Sequence, residues 1–162
     1  TDDVILSCTQ DYLKRAIEAY EDLGGVYKLS KLERKSKSFN ESIPDIKCIE
    51  LEVVKSNEPT LYRIEFDPNS EIVKLNYELI YAGGLDARSF YLEYLPMAHI
   101  GEWESEYDVS KYGATVVDSV TWNLKFTFNS GDVKECHGNN CCPFSFRWFL
   151  DLLEIECFID YI

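Results

Sequence analysis

The residues of this chain best equipped for chemistry stand at Cys136-His137-x3-Cys141-Cys142, where thiols and an imidazole come together. These are zinc-ligand types, and they are also the groups a nucleophilic thiol mechanism requires. The spacing lacks the paired C-x2–4-C arrangement of common zinc sites, and the adjacent Cys141 and Cys142 do not easily both face one ion. His137 directly follows Cys136, so on a strand the two point to opposite faces and form no dyad. Buried or half-buried structural thiols are therefore expected, with no metal, no cofactor and no catalytic residue. The only other histidine, His99, follows Pro96 in an apolar stretch and reads as a core or interface residue. Gly24-Gly25 and Gly83-Gly84 lack the Lys-Ser or G-x-G-x-x-G context of a phosphate loop and read as turns.

A second stretch, Glu102-Trp103-Glu104-Ser105-Glu106-Tyr107-Asp108, alternates carboxylates with larger side chains. If extended, it sets Glu102, Glu104, Glu106 and Asp108 on one face at intervals of roughly 6.6–6.8 Å, with Trp103, Ser105 and Tyr107 on the other. Such a row either mimics a nucleic-acid backbone toward a basic partner or is a solvated strand face anchored by aromatics. These four carboxylates are the candidate partner-binding residues.

The whole chain is acidic: 29 Asp and Glu against 16 Lys and Arg give a net charge of −13. That disfavours direct binding to nucleic acid or an anionic membrane and favours a basic protein partner. Hydrophobic residues make up 46 % and aromatics 14 %, too much core material for a disordered tail. The longest stretch without a formal charge, Cys136 to Phe146, is polar and falls short of the roughly 20 apolar residues needed to span a bilayer. Six cysteines are too sparse for a disulfide scaffold, and no secretory apolar stretch precedes them, so a reducing, cytoplasmic compartment is expected.

The elements that position these residues follow from periodicity. Val4 to Ser7 reads as a short strand, and Thr9 caps a helix to Leu23 whose Tyr12, Leu13, Ala16, Ile17, Tyr20 and Leu23 form one buried stripe. Lys28 to Lys37 holds five basic residues and reads, through Pro44, as a solvated loop. From Ile46 to Tyr81 a period of two predicts three antiparallel strands, the last two joined by a turn at Asp67-Pro68-Asn69-Ser70 and ended by Ala82-Gly83-Gly84. Asp86 caps a short helix to Leu95, where Pro96 stops it, although the aromatic content suits a strand as well. Trp122 to Phe128 and Val133 to His137 form a hairpin around Asn129-Ser130-Gly131-Asp132. Pro143 opens a closing helix with Phe146, Phe149, Leu150, Leu153 and Cys157 on its buried face. Asn140, bracketed by Gly138 and Pro143, is expected to bond backbone groups at the strand-to-helix turn.

Trp103 and Tyr107, Trp122-Asn123-Leu124-Lys125-Phe126, Ser130-Gly131, Gly138-Asn139-Asn140, Pro143 and Phe146 resemble a pattern found at the C-terminus of small uncharacterised bacterial domains. That pattern is a tryptophan strand, a glycine turn, a Gly-x-Asn-x-x-Pro-x-x-Phe corner and a closing helix, and here it covers Trp103 to Leu153. Ser130-Gly131 replaces the usual Asp-Gly, and Cys141-Cys142 replace residues that are usually small or aromatic. The resemblance implies a fold and carries over no functional residues.

The expectation is a single α+β domain over residues 1–162, an antiparallel sheet of about five to seven strands with N-terminal and C-terminal helices packed on one face. Functionally it is a non-catalytic acidic binding protein, one form of which is an inhibitor of the immunity or anti-defence type that blocks a basic or nucleic-acid-binding protein. The alternative is a small metal-binding or thiol-dependent enzyme using the Cys136-His137-Cys141-Cys142 corner. Oligomeric state is left open.

Overall fold

A computed structural model describes residues 2–66, 73–75, 78–80, 87–113 and 119–156. The chain divides into two compact units, Thr1–Arg34 and Lys35–Ile162.

In the first unit a single helix, α1 (Asp2–Asp22), replaces the expected strand and shorter helix. Gly24, at φ 85°, ends it: the Gly24 and Gly25 amides donate to the Glu21 and Tyr20 carbonyls at 2.8 and 3.0 Å. Of the stripe expected to be buried, Tyr12, Leu13, Ala16, Tyr20 and Leu23 are exposed and Ile17 is half-buried. The proposed Thr9 cap gives way to mid-helix backbone.

The segment expected as a basic loop is helix α2 (Lys31–Ser42), within which the division between the units falls. Its start is a capping box: the Glu33 amide donates to Ser30 Oγ at 3.2 Å, and the Ser30 amide donates to Glu33 Oε2 at 2.7 Å. Tyr27 Oη donates to the other Glu33 oxygen at 2.5 Å, and that hydrogen bond, with those from Ser30, holds the Glu33 carboxyl below its usual range.

The second unit is α+β, with a mostly antiparallel sheet that is mixed and not closed. Strands β1 (Ile46–Lys55), β2 (Glu58–Phe66), β3 (Val73–Leu75), β4 (Glu78–Ile80), β5 (Glu106–Asp108), β6 (Val120–Phe128) and β7 (Val133–Asn139) lie in the order β4-β3-β2-β1-β6-β7-β5. The expected third strand through Tyr81 is two short antiparallel strands, with Leu75 opposite Glu78. The Asp67-Pro68-Asn69-Ser70 turn, Ala82-Gly83-Gly84, the Asp86 cap and Cys157 lie outside the described residues. The turn between β1 and β2 is Ser56-Asn57, both at positive φ, 52° and 65°. That conformation matches the twist of a two-residue hairpin. Helix α3 (Ala87–Tyr94) stops two residues before Pro96, as the steric demand of a proline on the preceding residue requires. Helix α4 (Phe146–Leu152) begins later than expected, after a turn in which the Phe146 amide donates to the Pro143 carbonyl at 3.0 Å.

Alternation sorts the sheet into two faces. Ile49, Leu51 and Val53 of β1, Ile64 and Phe66 of β2, Leu124 and Phe126 of β6 and Cys136 of β7 enter one core with Phe39 of α2, Tyr91 of α3 and Phe146, Phe149 and Leu150 of α4. Phe126 stands edge-on to Phe39 at 5.4 Å, and Phe66 edge-on to Tyr91 at 5.7 Å, both favoured aromatic arrangements. The opposite face, with Glu50, Glu52, Asn123, Lys125, Glu135 and His137, is exposed or half-exposed. Among the described residues no helix is long and apolar enough to cross a membrane.

Candidate functional site

The open face is built rung by rung from strand register. Glu52 of β1 lies opposite Asn123 of β6, Asn123 opposite His137 of β7, and His137 opposite Glu106 of β5. The adjacent rung runs Arg63, Glu50, Lys125, Glu135. Residues facing each other across strands sit about 4.5–5.5 Å apart at Cβ, close enough for their charges to act together. A depression of about 370 Å³ follows, holding Glu52, Glu106, Asp108 and Glu135 around His137.

The basic groups are unevenly distributed. Arg63 donates to Glu50 and, at 2.8 Å, to Glu65, so that one cation serves two carboxylates on the β1–β2 side. Lys111 bonds Glu106 at 2.8 Å; that bond and its charge hold the Glu106 carboxyl below its usual range. Asp108 is likewise held low, because its Oδ1 accepts the Ser110 amide at 2.8 Å, capping a short 3₁₀ turn. Lys125 stands 4.0 Å from Glu135, and Glu52 has no ion pair among the described residues. These carboxylates outnumber the cations paired with them, so the face is net negative.

Of the four carboxylates singled out in the sequence, the structure brings two together. Glu106 and Asp108 line the depression. Glu102 ends a 3₁₀ turn and lies 3.1 Å from His99 Nδ1, while Glu104 is exposed and 3.9 Å from Lys35. The stretch is extended as strand only over Glu106–Asp108, because His99 at φ 51° turns the chain and Tyr107 Oη accepts the Glu104 amide at 2.9 Å. Its aromatic side behaves as alternation suggests: Trp103 is buried against Phe146 and Phe149, its Nε1 donating to Ser145 Oγ at 3.1 Å. Glu52, Glu135 and His137 were not singled out as part of a binding surface. Their outward alternation was visible, but only register aligns them.

The cysteine corner is held by burial and by hydrogen bonds to its backbone. Cys136 is fully buried, and burial pushes its thiol up to about 12, so it carries no thiolate near neutrality. His137 is exposed on the other face. The Trp122 indole N–H donates to the Cys141 carbonyl at 2.9 Å, over Gly138, where a Cβ would strike both groups. Asn140, at φ 48°, donates its amide to the Val120 carbonyl and accepts the Val120 amide on Oδ1, each at 2.9 Å. It is the structural residue its setting suggested. Among the described residues no three His, Cys, Asp or Glu side chains are grouped to hold a metal ion. Comparison with protein-family models, curated proteins and solved structures gives no significant match.

Proposed function

We propose that the chain is a non-catalytic binding protein that holds a basic protein partner on the open face of its sheet, as an inhibitor of the immunity or anti-defence type. The observation that carries this reading is the depression in which Glu52, Glu106, Asp108 and Glu135 converge across four neighbouring strands. Side chains set out along paired strands present their charges together, and complementary charge accelerates encounter. A partner whose lysines or arginines normally grip nucleic acid would be blocked by occupation of that surface. A bacterial setting, implied by the C-terminal resemblance, belongs to the same reading.

The test is association kinetics with a basic protein captured on the immobilised chain. The Glu52→Lys, Glu106→Lys double variant should associate at least tenfold more slowly at low salt. Wild-type association should also slow as salt shortens the Debye length from about 10 Å at 0.1 M to about 3 Å at 1 M. Equal rates for variant and wild type at low salt would remove the reading.

A further inference from the structure

Strand β7 has a strand partner on its outer side for only part of its length, because β5 pairs with His137, Gly138 and Asn139 alone. Hydrogen bonds show which way its backbone groups point. The Phe128 amide donates to the Asp132 carbonyl and the Asn140 amide to the Val120 carbonyl, so even-numbered residues of this stretch face β6, whereas the His137 amide donates outward to the Ser105 carbonyl. Direction alternates residue by residue along an antiparallel pair. The amides and carbonyls of Val133 and Glu135 therefore point outward, where no described strand pairs with them. Val133 is 49 % exposed and Glu135 is exposed, so this edge lies open among the described residues. An open edge is a template on which another chain can pair.

We infer that Lys134 guards this edge: its charge, carried on the core side of the sheet, keeps two copies of the chain from pairing edge to edge.

Three observations support that role. The first is orientation. Lys134 alternates with Cys136 and Gly138, both buried, and lies opposite the fully buried Phe126 of β6. Its Nζ stands 5.7 Å from the centre of the Phe39 ring, a position an apolar side chain would fill. An inward-pointing charge is one of the devices by which sheet edges are kept from joining.

The second is cost. Among the described residues no carboxylate lies within ion-pair distance of Lys134, and the Glu104 carboxylate pairs instead with Lys35 at 3.9 Å. Burial, above all, holds the Lys134 ammonium below the usual lysine range. A charge removed from water without a partner opposes folding, so the fold by itself does not call for a lysine here.

The third is register. Only one antiparallel pairing uses the outward groups of both Val133 and Glu135 in both copies, and it centres on Lys134. Val133 of each copy then faces Glu135 of the other, and Lys134 faces Lys134. Residues directly opposite lie about 4.5–5.5 Å apart at Cβ, where like charges disfavour the pair. This role is independent of a basic partner on the open face.

Sedimentation equilibrium and thermal melting of the full chain test it. Lys134→Ile should melt at or above the wild-type temperature, since an apolar side chain replaces a desolvated charge over Phe39. The same variant should associate at least tenfold more tightly than wild type at equal concentration. Lys134→Arg keeps the charge and should match wild type. Adding Val133→Pro to Lys134→Ile should return association to the wild-type level, because proline lacks the outward amide and is tolerated at the first residue of a strand. A Lys134→Ile chain that associates no more than wild type would overturn the inference, as would association that the proline leaves unchanged. A Lys134→Ile chain that melts well below wild type would overturn it too, because the lysine would then serve the fold itself.

Discussion

At the scale of single residues, the strand-to-helix corner shows how much one asparagine holds. Asn140 adopts a left-handed conformation that most side chains resist, and it satisfies both the amide and the carbonyl of Val120. Replacing it with alanine removes the side-chain acceptor and strains the backbone, and should cost about 0.5–2 kcal/mol, the range of a lost cap. Glycine retains the conformation but not the acceptor, so Asn140→Gly should fall between wild type and alanine. Urea denaturation of the three proteins checks the order, and an alanine variant as stable as wild type contradicts it. This residue could be read in the sequence because Gly138 and Pro143 frame it. Glu52 could not, since a lone carboxylate on an alternating strand looks the same whether or not three others face it.

At the scale of elements, the hairpin β6–β7, with its turn at 129–132, was legible because alternation, turn residues and aromatic content agree. The second helix was not read, although its signal was present. Ser30-Lys31-Leu32-Glu33 is a capping-box sequence, masked by the basic residues around it. Ser30→Ala should therefore lower stability by about 0.5–2 kcal/mol with a loss of helical circular dichroism; no change in either would mean the box is incidental. The opposite error was made at residues 4–7. A short apolar run is ambiguous between helix and strand, and only neighbouring context decides. The stripe on α1 was read correctly in spacing but not in burial, because periodicity reports that a face is apolar and does not say which surface covers it. The acidic stretch erred in the same way: alternation predicted a strand over seven residues, while His99 and the Tyr107 hydroxyl confined it to three.

At the scale of the whole molecule, the buried acids set the response to alkali. Burial pushes the thiols of Cys136 and Cys48 up to about 12 and about 11, and the Tyr91 phenol up to about 12. Unfolded cysteine loses its proton near pH 8.5 and unfolded tyrosine near about 10. The folded state therefore holds protons that the unfolded chain releases. Stability is full below about pH 8.5 and falls as the pH rises toward the folded values, with Cys136 alone contributing a slope of up to about 1.4 kcal/mol per pH unit. Melting temperatures from pH 7 to 11 should decline, and Cys136→Ala should flatten the decline even though its cavity lowers the starting value. An unchanged slope would contradict the assignment.

The position of β1 governs the order of events during synthesis. It lies at the centre of the sheet, yet its partner β6 is about 65 to 82 residues further along the chain, as Lys55 opposite Val120 and Ile46 opposite Phe128 show. At about 5–20 residues per second, a ribosome leaves one edge of β1 unpaired for several seconds after it has emerged. Glu50 and Glu52, which face outward in the finished sheet, also keep two nascent copies of that strand from zipping together, because like charges directly opposite one another disfavour pairing.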